Sequence, residues 1–349
     1  MARKSKNARM RASLSKREKM PKVSVILAVK NEERTIGHVI ESLLRLDYPN
    51  YEVIMVDTGS EDRTVHIAKQ YGIKTIQVNA STPAKGRNVG IKNSSGEIVA
   101  FIDGDCYVLR EDWLKVAVHL LRLDRIGGVG GPIVSSSQST YTSKAILDVF
   151  STFFASVGSA SFTKYIKQKE MKSLPSANAI YRREVLEEVG LFSEDLRFCE
   201  DTDLSYRIRK AGYRLIYSPN IVVEHDWKVY SFRSLFHHML KYGAGRAIAS
   251  KRCHYLFSFY HAVPSFVLIC LPLLLLLSFL LKGPIMYGTI LLIISYIALA
   301  FVSALLAAYR FRDMRMVAIA PVTYILVHIG YATGFISGLL SHNTKSCVK

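Results

Sequence analysis

The chain has 349 residues, half of them hydrophobic, and its 46 Lys and Arg against 28 Asp and Glu give a formal net charge of +18. This length allows one large domain or two modest ones. No nucleic-acid recognition motif accompanies the basic excess, so we expect no nucleic-acid partner.

The first 21 residues are predicted to be a basic tail. Residues 1–20 hold eight Lys or Arg and a single Glu, and they lack the apolar middle of a signal peptide. Two interpretations stay open for this tail: a solvated segment, or one that contacts anionic lipid headgroups.

Residues 22–228 alternate short apolar runs with segments of helical periodicity. The predicted strands are 22–29, 51–57, 74–78 and 97–103, and the predicted helices are 32–46, 61–72 and 83–96. Such alternation is typical of an α/β fold, with a mostly parallel sheet and helices on both faces. No G-x-G-x-x-G follows the first strand and no P-loop motif occurs, which disfavours a dinucleotide-dependent dehydrogenase or a P-loop ATPase.

Acids and amides gather where three of these strands end. Asn31 and Glu32 follow the first strand, Asp57 ends the second, and Asp103 and Asp105 close the fourth. Ligands bind beyond the carboxyl ends of strands in such sheets, so we expect a site at this edge.

The stretch "FIDGDCYV" places Asp103 and Asp105 two residues apart, with Gly104 between them. In an extended segment, side chains at this spacing point to the same side, and carboxylates are hard oxygen ligands for Mg²⁺ or Mn²⁺. A bound metal ion would let two acids attract a diphosphate. The alternative is an ordinary Asp-Gly turn.

Four segments together resemble a known family. They are "VSVILAVKNEERTIGHVIESLL", "EVIMVDTGSEDRT", "KGRNVGIKNSSGEIVAFIDGD" and the long stretch from "SANAIYRREV" through "CEDTDLSYRIRKAG" to "NIVVEH". In this order they look like an inverting glycosyltransferase of family 2 with the Rossmann-like GT-A fold. The resemblance covers roughly residues 22–226 and implies transfer from a nucleotide sugar with help from Mn²⁺ or Mg²⁺.

The resemblance also implies roles for individual residues. Nucleotide contacts are expected from Ala28, Val29, Asn31, Glu32, Asp57, Lys85, Arg87, Asp103 and Gly104. Metal ligands are expected at Asp103, Asp105 and His225. Ala28 stands where the family usually has Pro, and Thr58 stands where many members have a second Asp. A buried structural histidine remains the alternative for His225.

The "CEDTDL" stretch resembles the family's E-D motif, which implies Asp201 as the general base and Glu200 as its neighbour. A carboxylate there could accept the proton of an attacking hydroxyl. The alternative is that these acids only favour the N-terminus of a helix. An acceptor or diphosphate neighbourhood is expected at Asn178, Arg207, Trp227, Lys241, Tyr242 and Arg246.

Processive members of the family carry Q-x-x-R-W after the base, and the nearest candidate here, residues 238–242, differs at all three signature positions. The segment "YGAGRA" (242–247) instead resembles the Y-G-x-G of members that transfer single sugars at membranes. We therefore expect a non-processive enzyme.

The last third of the chain is predicted to be membrane-bound. Three spans without Asp, Glu, Lys or Arg, at 263–281, 285–309 and 317–340, are 19, 25 and 24 residues long, about the length that crosses a bilayer. Amphipathic interfacial helices are expected at 229–262, with a second apolar stripe within 145–166 and a tail at 341–349. Arg310, Arg312 and Arg315 in one link predict a cytoplasmic catalytic domain and an external tail.

These observations predict a membrane-anchored glycosyltransferase that moves a hexose to a lipid-linked acceptor, such as a polyprenyl phosphate, a lipid-linked glycan or a glycolipid. GDP-mannose is the first donor to consider, and UDP-glucose or another UDP-hexose is the alternative. A function of another class is also open, namely a catalytically degenerate subunit that binds nucleotide sugar or assists assembly. A transporter is disfavoured because the spans carry no acid, Lys or Arg.

Overall fold

A computed structural model describes residues 20–80, 82–136, 139–156 and 167–341. Residues 1–19 of the N-terminal tail expected at 1–21, residues 157–166 of the 145–166 stripe and residues 342–349 of the C-terminal tail lie outside the described part of the chain.

An eight-stranded sheet forms the centre of the molecule, in the order β3-β2-β1-β4-β9-β6-β10-β8. Its strands are β1 (Val23–Val29), β2 (Tyr51–Asp57), β3 (Lys74–Gln77), β4 (Ile98–Asp103), β6 (Ile126–Gly130), β8 (Lys169–Glu170), β9 (Asn178–Arg182) and β10 (Arg214–Tyr217). The first four are parallel as expected, but β9 runs antiparallel to both β4 and β6, and β8 runs antiparallel to β10. The sheet is thus mixed, and its antiparallel half lies beyond the strands that the sequence pattern predicted.

A second sheet of three short strands stands beside the first, in the order β5-β11-β7. It consists of β5 (Cys106–Val108), β7 (Ile133–Ser135) and β11 (Val223–His225). In the antiparallel pairing of β11 with β5, His225 lies opposite Cys106. This register brings a histidine more than a hundred residues away next to the D-x-D segment.

Helices cover both faces of the main sheet. They are α1 (Ile36–Leu44), α2 (Thr64–Gln70), α3 (Pro83–Lys92), α4 (Trp113–Leu121), α5 (Tyr141–Phe150), α6 (Phe153–Ser156), α7 (Arg183–Val189) and α8 (Glu200–Lys210). Val25 and Leu27 of β1 pack into the core with α1 and α4, while Ile26 packs into the core with α3, α7 and α8. Because strand side chains alternate between faces, one apolar strand supplies both cores.

Four helices follow the catalytic half of the chain: α9 (Phe232–Arg252), α10 (Phe259–Leu281), α11 (Gly283–Phe311) and α12 (Met316–Leu340). The last three are long and apolar enough to be candidate membrane spans. They begin one to four residues earlier than the sequence spans. The single helix α9 and a short 3₁₀ turn occupy most of the segment where interfacial helices were expected.

Helices α9 and α12 approach each other through glycines. A Cβ atom on Gly334 would lie 2.1 Å from the Leu240 carbonyl oxygen, and one on Gly338 would lie 2.5 Å from that of Ala244. With Gly330 these residues form a G-x-x-x-G-x-x-x-G series, the spacing that lets helix backbones touch. Any larger side chain there would push α9 away.

The apolar stripe of α5 packs inside the protein. Ala145 and Val149 join the buried cluster of α11 and α12, whereas Ile146, Leu147 and Phe150 pack with Trp227 and α9. For the described residues, ordinary core packing therefore accounts for this stripe better than burial in lipid headgroups.

Candidate active site

The turn after β4 holds the two aspartates of the D-x-D segment close to the end of β1. A Cβ atom on Gly104 would lie 2.8 Å from both Val29 Cγ1 and Glu32 Cγ, so only glycine fits without displacing them. The Thr35 hydroxyl donates to the Gly104 carbonyl oxygen at 2.8 Å. These contacts fix the turn against the start of α1.

Asp105 and His225 face each other across the small sheet, with His225 Nε2 3.3 Å from Asp105 Oδ1. Burial alone would lower the pKa of His225, but the Asp105 carboxylate outweighs it and raises that pKa. Burial opposes ionisation of Asp105 as well, yet His225 and the more distant Lys228 hold the pKa of Asp105 below its ordinary value. The pair is thus a partly buried, charge-complementary unit.

Asp105, Cys106 and His225 place one ligand atom each within 4.8 Å of one another. Burial and the nearby carboxylates of Asp105 and Asp103 raise the pKa of the Cys106 thiol well above its usual value. Sulfur is a soft ligand, whereas Mn²⁺ and Mg²⁺ prefer oxygen ligands, so Cys106 is a poor candidate. The remaining donors are carboxylate oxygens and one imidazole, which suit Mn²⁺ or Mg²⁺.

Glu32 adds a third carboxylate beside Asp103 and Asp105, and the ammonium group of Lys228 balances its charge. Lys228 Nζ lies 2.6 Å from Glu32 Oε1 and donates to the Asn31 carbonyl oxygen at 3.3 Å. Burial, followed by the charge of Asp105, raises the pKa of Glu32 to about 7. The sequence analysis missed Lys228, although its position three residues after His225 was a signal that could have found it.

Arg87 joins the D-x-D segment to the E-D motif. Its Nη2 donates to Asp103 Oδ1 at 3.0 Å and its Nη1 donates to Glu200 Oε1 at 2.7 Å. The guanidinium is buried, and its carbon lies 5.7 Å from the centre of the Phe192 ring. Two motifs separated by almost a hundred residues are therefore held in one site by a single cation.

The E-D motif opens α8, whose first turn carries Glu200, Asp201 and Asp203. Burial raises the pKa of Glu200 to about 7. The positive charge of Arg87 opposes this rise and the negative charge of Asp201 adds to it. Asp201 Oδ1 accepts the Thr202 backbone N–H at 2.6 Å. Among the described residues Asp201 Oδ2 has no hydrogen-bond partner, whereas the carboxylate of Asp203 is tied to Ser193, Arg207 and Tyr255.

The expected nucleotide contacts cluster around the ends of β1 and β2. Asp57 accepts backbone N–H groups of Gly59 and Ser60, so its carboxylate shapes the loop after β2. Asn31 adopts a left-handed φ of 55° and accepts the Glu61 N–H at 2.9 Å. Both side chains order the loop that borders the site.

Ala28 and Val29 end β1, with Asp103 paired to Ala28 in the sheet. The small side chain of Ala28 allows α3 to pack closely against β1. Even a Cβ atom on Gly86 of α3 would lie only 3.3 Å from the Ala28 methyl group. Lys85 lies half-buried on the first turn of α3, which Thr82 caps.

The expected acceptor residues divide into two groups. Asn178 is fully buried and bonded to Trp113 and Ile221, and Arg207 is bonded to Asp203 and to the carbonyls of Val189 and Leu191. Asn178 pairs with Ile102 in the sheet, next to Asp103, but its side-chain amide is bonded within the core. The Arg207 guanidinium is bonded to Asp203 and to the end of α7.

The other expected acceptor residues lie on or beside α9. Trp227 is buried against Phe150 at 5.2 Å between ring centres, and Lys241 is exposed. Tyr242 and Arg246 lie one turn apart, with the Arg246 Nη2 donating to the Tyr242 hydroxyl at 3.4 Å. These two residues lie near Tyr331 of α12 and near Cys199, which precedes α8.

Comparison with known proteins identifies the domain. Residues 24–190 match the family described as Glycosyl transferase family 2. Glycosyltransferase AglE of Haloferax volcanii is 28% identical over 235 residues, which cover 65% of this chain and 73% of that protein. A Methanococcus voltae dolichyl N-acetyl-alpha-D-glucosaminyl phosphate 3-beta-D-2,3-diacetamido-2,3-dideoxy-beta-D-glucuronosyltransferase is 25% identical over 342 residues, 92% of this chain and 98% of that one.

Among solved structures, a mannosyltransferase from Pyrobaculum calidifontis, determined in complex with GDP-Man and Mn²⁺, superposes with a TM-score of 0.59. The match covers 89% of this chain and 88% of that chain at 21% identity. The GT-A fold expected from the sequence is confirmed, and so is the expectation of a glycosyltransferase.

Proposed function

Because residues 24–190 form a glycosyltransferase domain of family 2, we propose that this chain is an inverting enzyme that moves a hexose from a nucleoside diphosphate sugar to a lipid-linked acceptor. Residues 22–228 are the proposed catalytic domain. The observation that carries the proposal is the double ion pair of Arg87, which joins Asp103 of the D-x-D segment to Glu200 of the E-D motif. The proposed nucleotide-sugar site around Asp103 is thereby linked to the motif that carries the proposed base, Asp201.

We propose that Asp103, Asp105 and His225 hold a divalent cation, Mn²⁺ or Mg²⁺. Asp105 and His225 lie together, whereas Asp103 Oδ1 accepts a hydrogen bond from Arg87. His225 Nε2 faces Asp105, and its buried Nδ1 has no hydrogen-bond partner among the described residues. When bound, the ion would offset negative charge on the departing diphosphate. Lys228, which already pairs with Glu32, is a cation at the same edge, and we propose that Lys85 supports the nucleotide or diphosphate beside it.

Asp201 is the proposed general base. Its free Oδ2 can accept the proton of the acceptor hydroxyl as that oxygen attacks the anomeric carbon, opposite the departing nucleotide. Glu200 is held by Arg87, so we assign it a positioning role for the base. Arg207 holds Asp203 and thereby the first turn of α8.

GDP-mannose is the first proposed donor and a UDP-hexose is the second. Asp57 is proposed to lie beside the nucleotide base, but its carboxylate already accepts two backbone N–H groups. With Thr58 in place of a second acid, fewer side chains remain to distinguish guanine from uracil.

A lipid-linked acceptor is supported by two observations. The Methanococcus voltae relative, whose name specifies a dolichyl phosphate-linked acceptor, aligns with 92% of this chain. The candidate membrane spans pack directly against the catalytic domain through α5 and α9. We propose that they anchor the enzyme with its catalytic domain on the cytoplasmic face, where the basic 310–316 link belongs.

The test uses the full-length protein in detergent with lipid extract from the source cells. Radiolabelled GDP-mannose, UDP-glucose and other UDP-hexoses are supplied separately, with Mn²⁺ or with a chelator. We expect one donor to label the organic phase only when metal is present. Absence of transfer from every donor would contradict the proposed enzymatic function. The alternative, a subunit that only binds nucleotide sugar, would then be tested by measuring metal-dependent binding of GDP or UDP.

A further inference from the structure

Arg246 is a buried cation without an anionic partner in the described part of the chain. Its side chain belongs to α9, and the residue is 8% exposed. Its one hydrogen bond there is the 3.4 Å contact with Tyr242, and its Nε is buried without a partner. Burying an unpaired guanidinium costs several kcal/mol, so a compensating anion is expected.

Few carboxylates lie in the rest of the sequence. The segments outside the described residues, namely 1–19, 81, 137–138, 157–166 and 342–349, hold a single side-chain carboxylate, Glu18 of the basic tail. The compensating charge is therefore expected from a ligand.

Further donors surround the guanidinium. The Tyr331 hydroxyl of α12 is also buried without a hydrogen-bond partner among the described residues, and its ring centre lies 6.1 Å from that of Tyr242. The positive charge of Arg246 opposes the burial that raises the pKa of the Cys199 thiol, in the residue before Glu200. We call Tyr242, Arg246 and Tyr331 the Arg246 cluster.

The glycines of "YGAGRA" explain how this cluster reaches the E-D motif. A Cβ on Gly243 would lie 2.2 Å from the Tyr331 carbonyl oxygen, and one on Gly245 would lie 2.3 Å from the Phe198 ring. Gly243 thus admits α12 on one side, and Gly245 admits the segment before α8 on the other. The cluster lies between the proposed base and the apolar helices.

We propose that the Arg246 cluster binds the phosphoryl group of the lipid-linked acceptor, an inference that rests on the proposed function. A guanidinium and two phenol hydroxyls present several donors to phosphate oxygens, and such charge-assisted bonds are strong. The donor diphosphate has its own cations at the D-x-D edge, where Arg87 and Lys228 lie. The Arg246 cluster instead lies on the helices that would meet lipid headgroups.

Binding to nanodiscs measures this role directly. Full-length wild type is titrated with phosphatidylcholine nanodiscs that contain dolichyl phosphate, and separately with GDP or UDP plus Mn²⁺. We expect Arg246→Gln to weaken dolichyl phosphate binding about tenfold or more, with nucleotide binding within about twofold of wild type. Arg246→Lys should retain part of the affinity, and Arg233→Gln, an exposed cation of the same helix, should change neither.

Tyr331→Phe separates ligand binding from stability. Because the hydroxyl has no hydrogen-bond partner among the residues that the structure describes, its removal should leave the melting temperature unchanged or higher, while dolichyl phosphate binding weakens. A structural role for the hydroxyl would lower the melting temperature instead. This variant keeps the proposal testable if Arg246→Gln does not fold.

Three results would overturn the proposal: unchanged dolichyl phosphate binding in Arg246→Gln, a loss confined to nucleotide binding, or an equal loss with phosphatidylglycerol nanodiscs, which would mark a general phospholipid contact. Failure of the proposed function has a different signature, because wild type would then transfer no sugar and show no metal-dependent nucleotide binding.

A separate set of contacts concerns the third apolar helix, α12. Its first residue, Met316, packs in one cluster with Ala145 of α5. At its other end, Lys251 of α9 donates to the carbonyl oxygens of Leu339 and Ser341 at 2.8 and 2.7 Å. Both ends of α12 therefore lie on elements that belong to the catalytic side.

Helix α9 lies along the catalytic domain over its whole length. Near its start, Leu235 packs with Trp227, and near its end Ala249 packs with Leu196. Since the glycine series of α12 runs along α9, this part of α12 follows the domain surface. A spanning helix must instead separate its two ends by about 30 Å along the bilayer normal.

Helices α10 and α11 behave differently. They form a hairpin joined by a hydrogen bond from Ser278 to Thr289, and the apolar side chains around that turn are largely exposed. From these contacts we infer that α10 and α11 cross the bilayer as a pair, whereas α12 lies at the interface. The 341–349 tail is then cytoplasmic, which agrees with its Lys345 and Lys349.

Protease protection in sealed inside-out vesicles tests this topology without any enzymatic readout. One full-length protein carries an epitope tag after Lys349 and another carries it within the 282–284 link. We expect protease to remove the first tag and to spare the second. Protection of the tag after Lys349 would show that α12 crosses and would overturn the inference.

Discussion

Arg87 Nη1 lies 2.7 Å from Glu200 Oε1, which ties the start of α8 to the helix that follows β3. The other arm of the same guanidinium lies 3.0 Å from Asp103. The geometry of the site therefore depends on a planar, two-armed cation, and not on charge alone.

Arg87→Lys should lower kcat by about a hundredfold or more, because an ammonium cannot hold both carboxylates at these angles and a small displacement of reacting groups is costly. Initial rates with the preferred donor and thermal melting measure the effect. Arg110→Lys, which alters an exposed pair with Asp112, is the matched control and should retain wild-type activity. Equal activity in the two variants would refute the bridging role.

His225→Asn should weaken Mn²⁺-dependent nucleotide binding by about ten- to a hundredfold, since it removes one donor of the proposed metal site. Calorimetry with GDP or UDP, with and without Mn²⁺, makes the comparison. Cys106→Ser should bind nearly as well as wild type, because Mn²⁺ prefers oxygen ligands to sulfur. A larger loss in Cys106→Ser than in His225→Asn would place sulfur among the ligands.

Gly334→Ala should destabilise the protein by about 1–3 kcal/mol, because the added methyl group would overlap the Leu240 carbonyl oxygen. Melting in detergent, followed by transfer assays, would show whether displacement of α9 also reduces activity. Gly288→Ala is the matched control, since a Cβ there meets nothing within 4 Å. Similar melting temperatures for both variants would argue against the close α9–α12 packing.

Glu52→Gln should cost about 1–2 kcal/mol of stability near neutral pH. Burial opposes ionisation of Glu52, but hydrogen bonds from Ser95, Ser24 and Lys22 outweigh it and lower its pKa from 4.5 to about 2. A depressed carboxyl pKa stabilises the folded state above the unfolded pKa, and this contribution is lost as the pH falls from about 4.5 towards 2.

The difference in melting temperature between wild type and Glu52→Gln should therefore shrink over that acidic range. A difference that stays constant from pH 7 to pH 3 would contradict the assigned role of the Glu52 carboxylate.

The sequence predicted the local parts of this structure well, because local patterns determine them. The strands 51–57 and 97–103 and the carboxylates at their ends follow from apolar runs that stop at acids. The antiparallel β9 and the pairing of His225 with Asp105 depend on contacts between distant segments, which periodicity does not encode.

The same limit applies to side chains whose partners lie in distant segments. Asn178 and Arg207 carry polar groups that look functional in a list of motifs, yet their partners are core carbonyls and Asp203. Hydropathy marks 317–340 as a candidate span like the other two. The contacts of its glycines and of its last carbonyls with α9 depend on distant segments, and hydropathy does not encode them.

The central claim is that Asp201 removes the proton of a lipid-linked acceptor beside a metal-bound nucleotide sugar. Single-turnover transfer from the preferred donor, measured for wild type, Asp201→Asn and the exposed control Asp195→Asn, tests it most directly. We predict that Asp201→Asn loses about a hundred- to ten-thousandfold in rate, with metal-dependent nucleotide binding retained and Asp195→Asn unaffected. Wild-type turnover in Asp201→Asn would contradict the account.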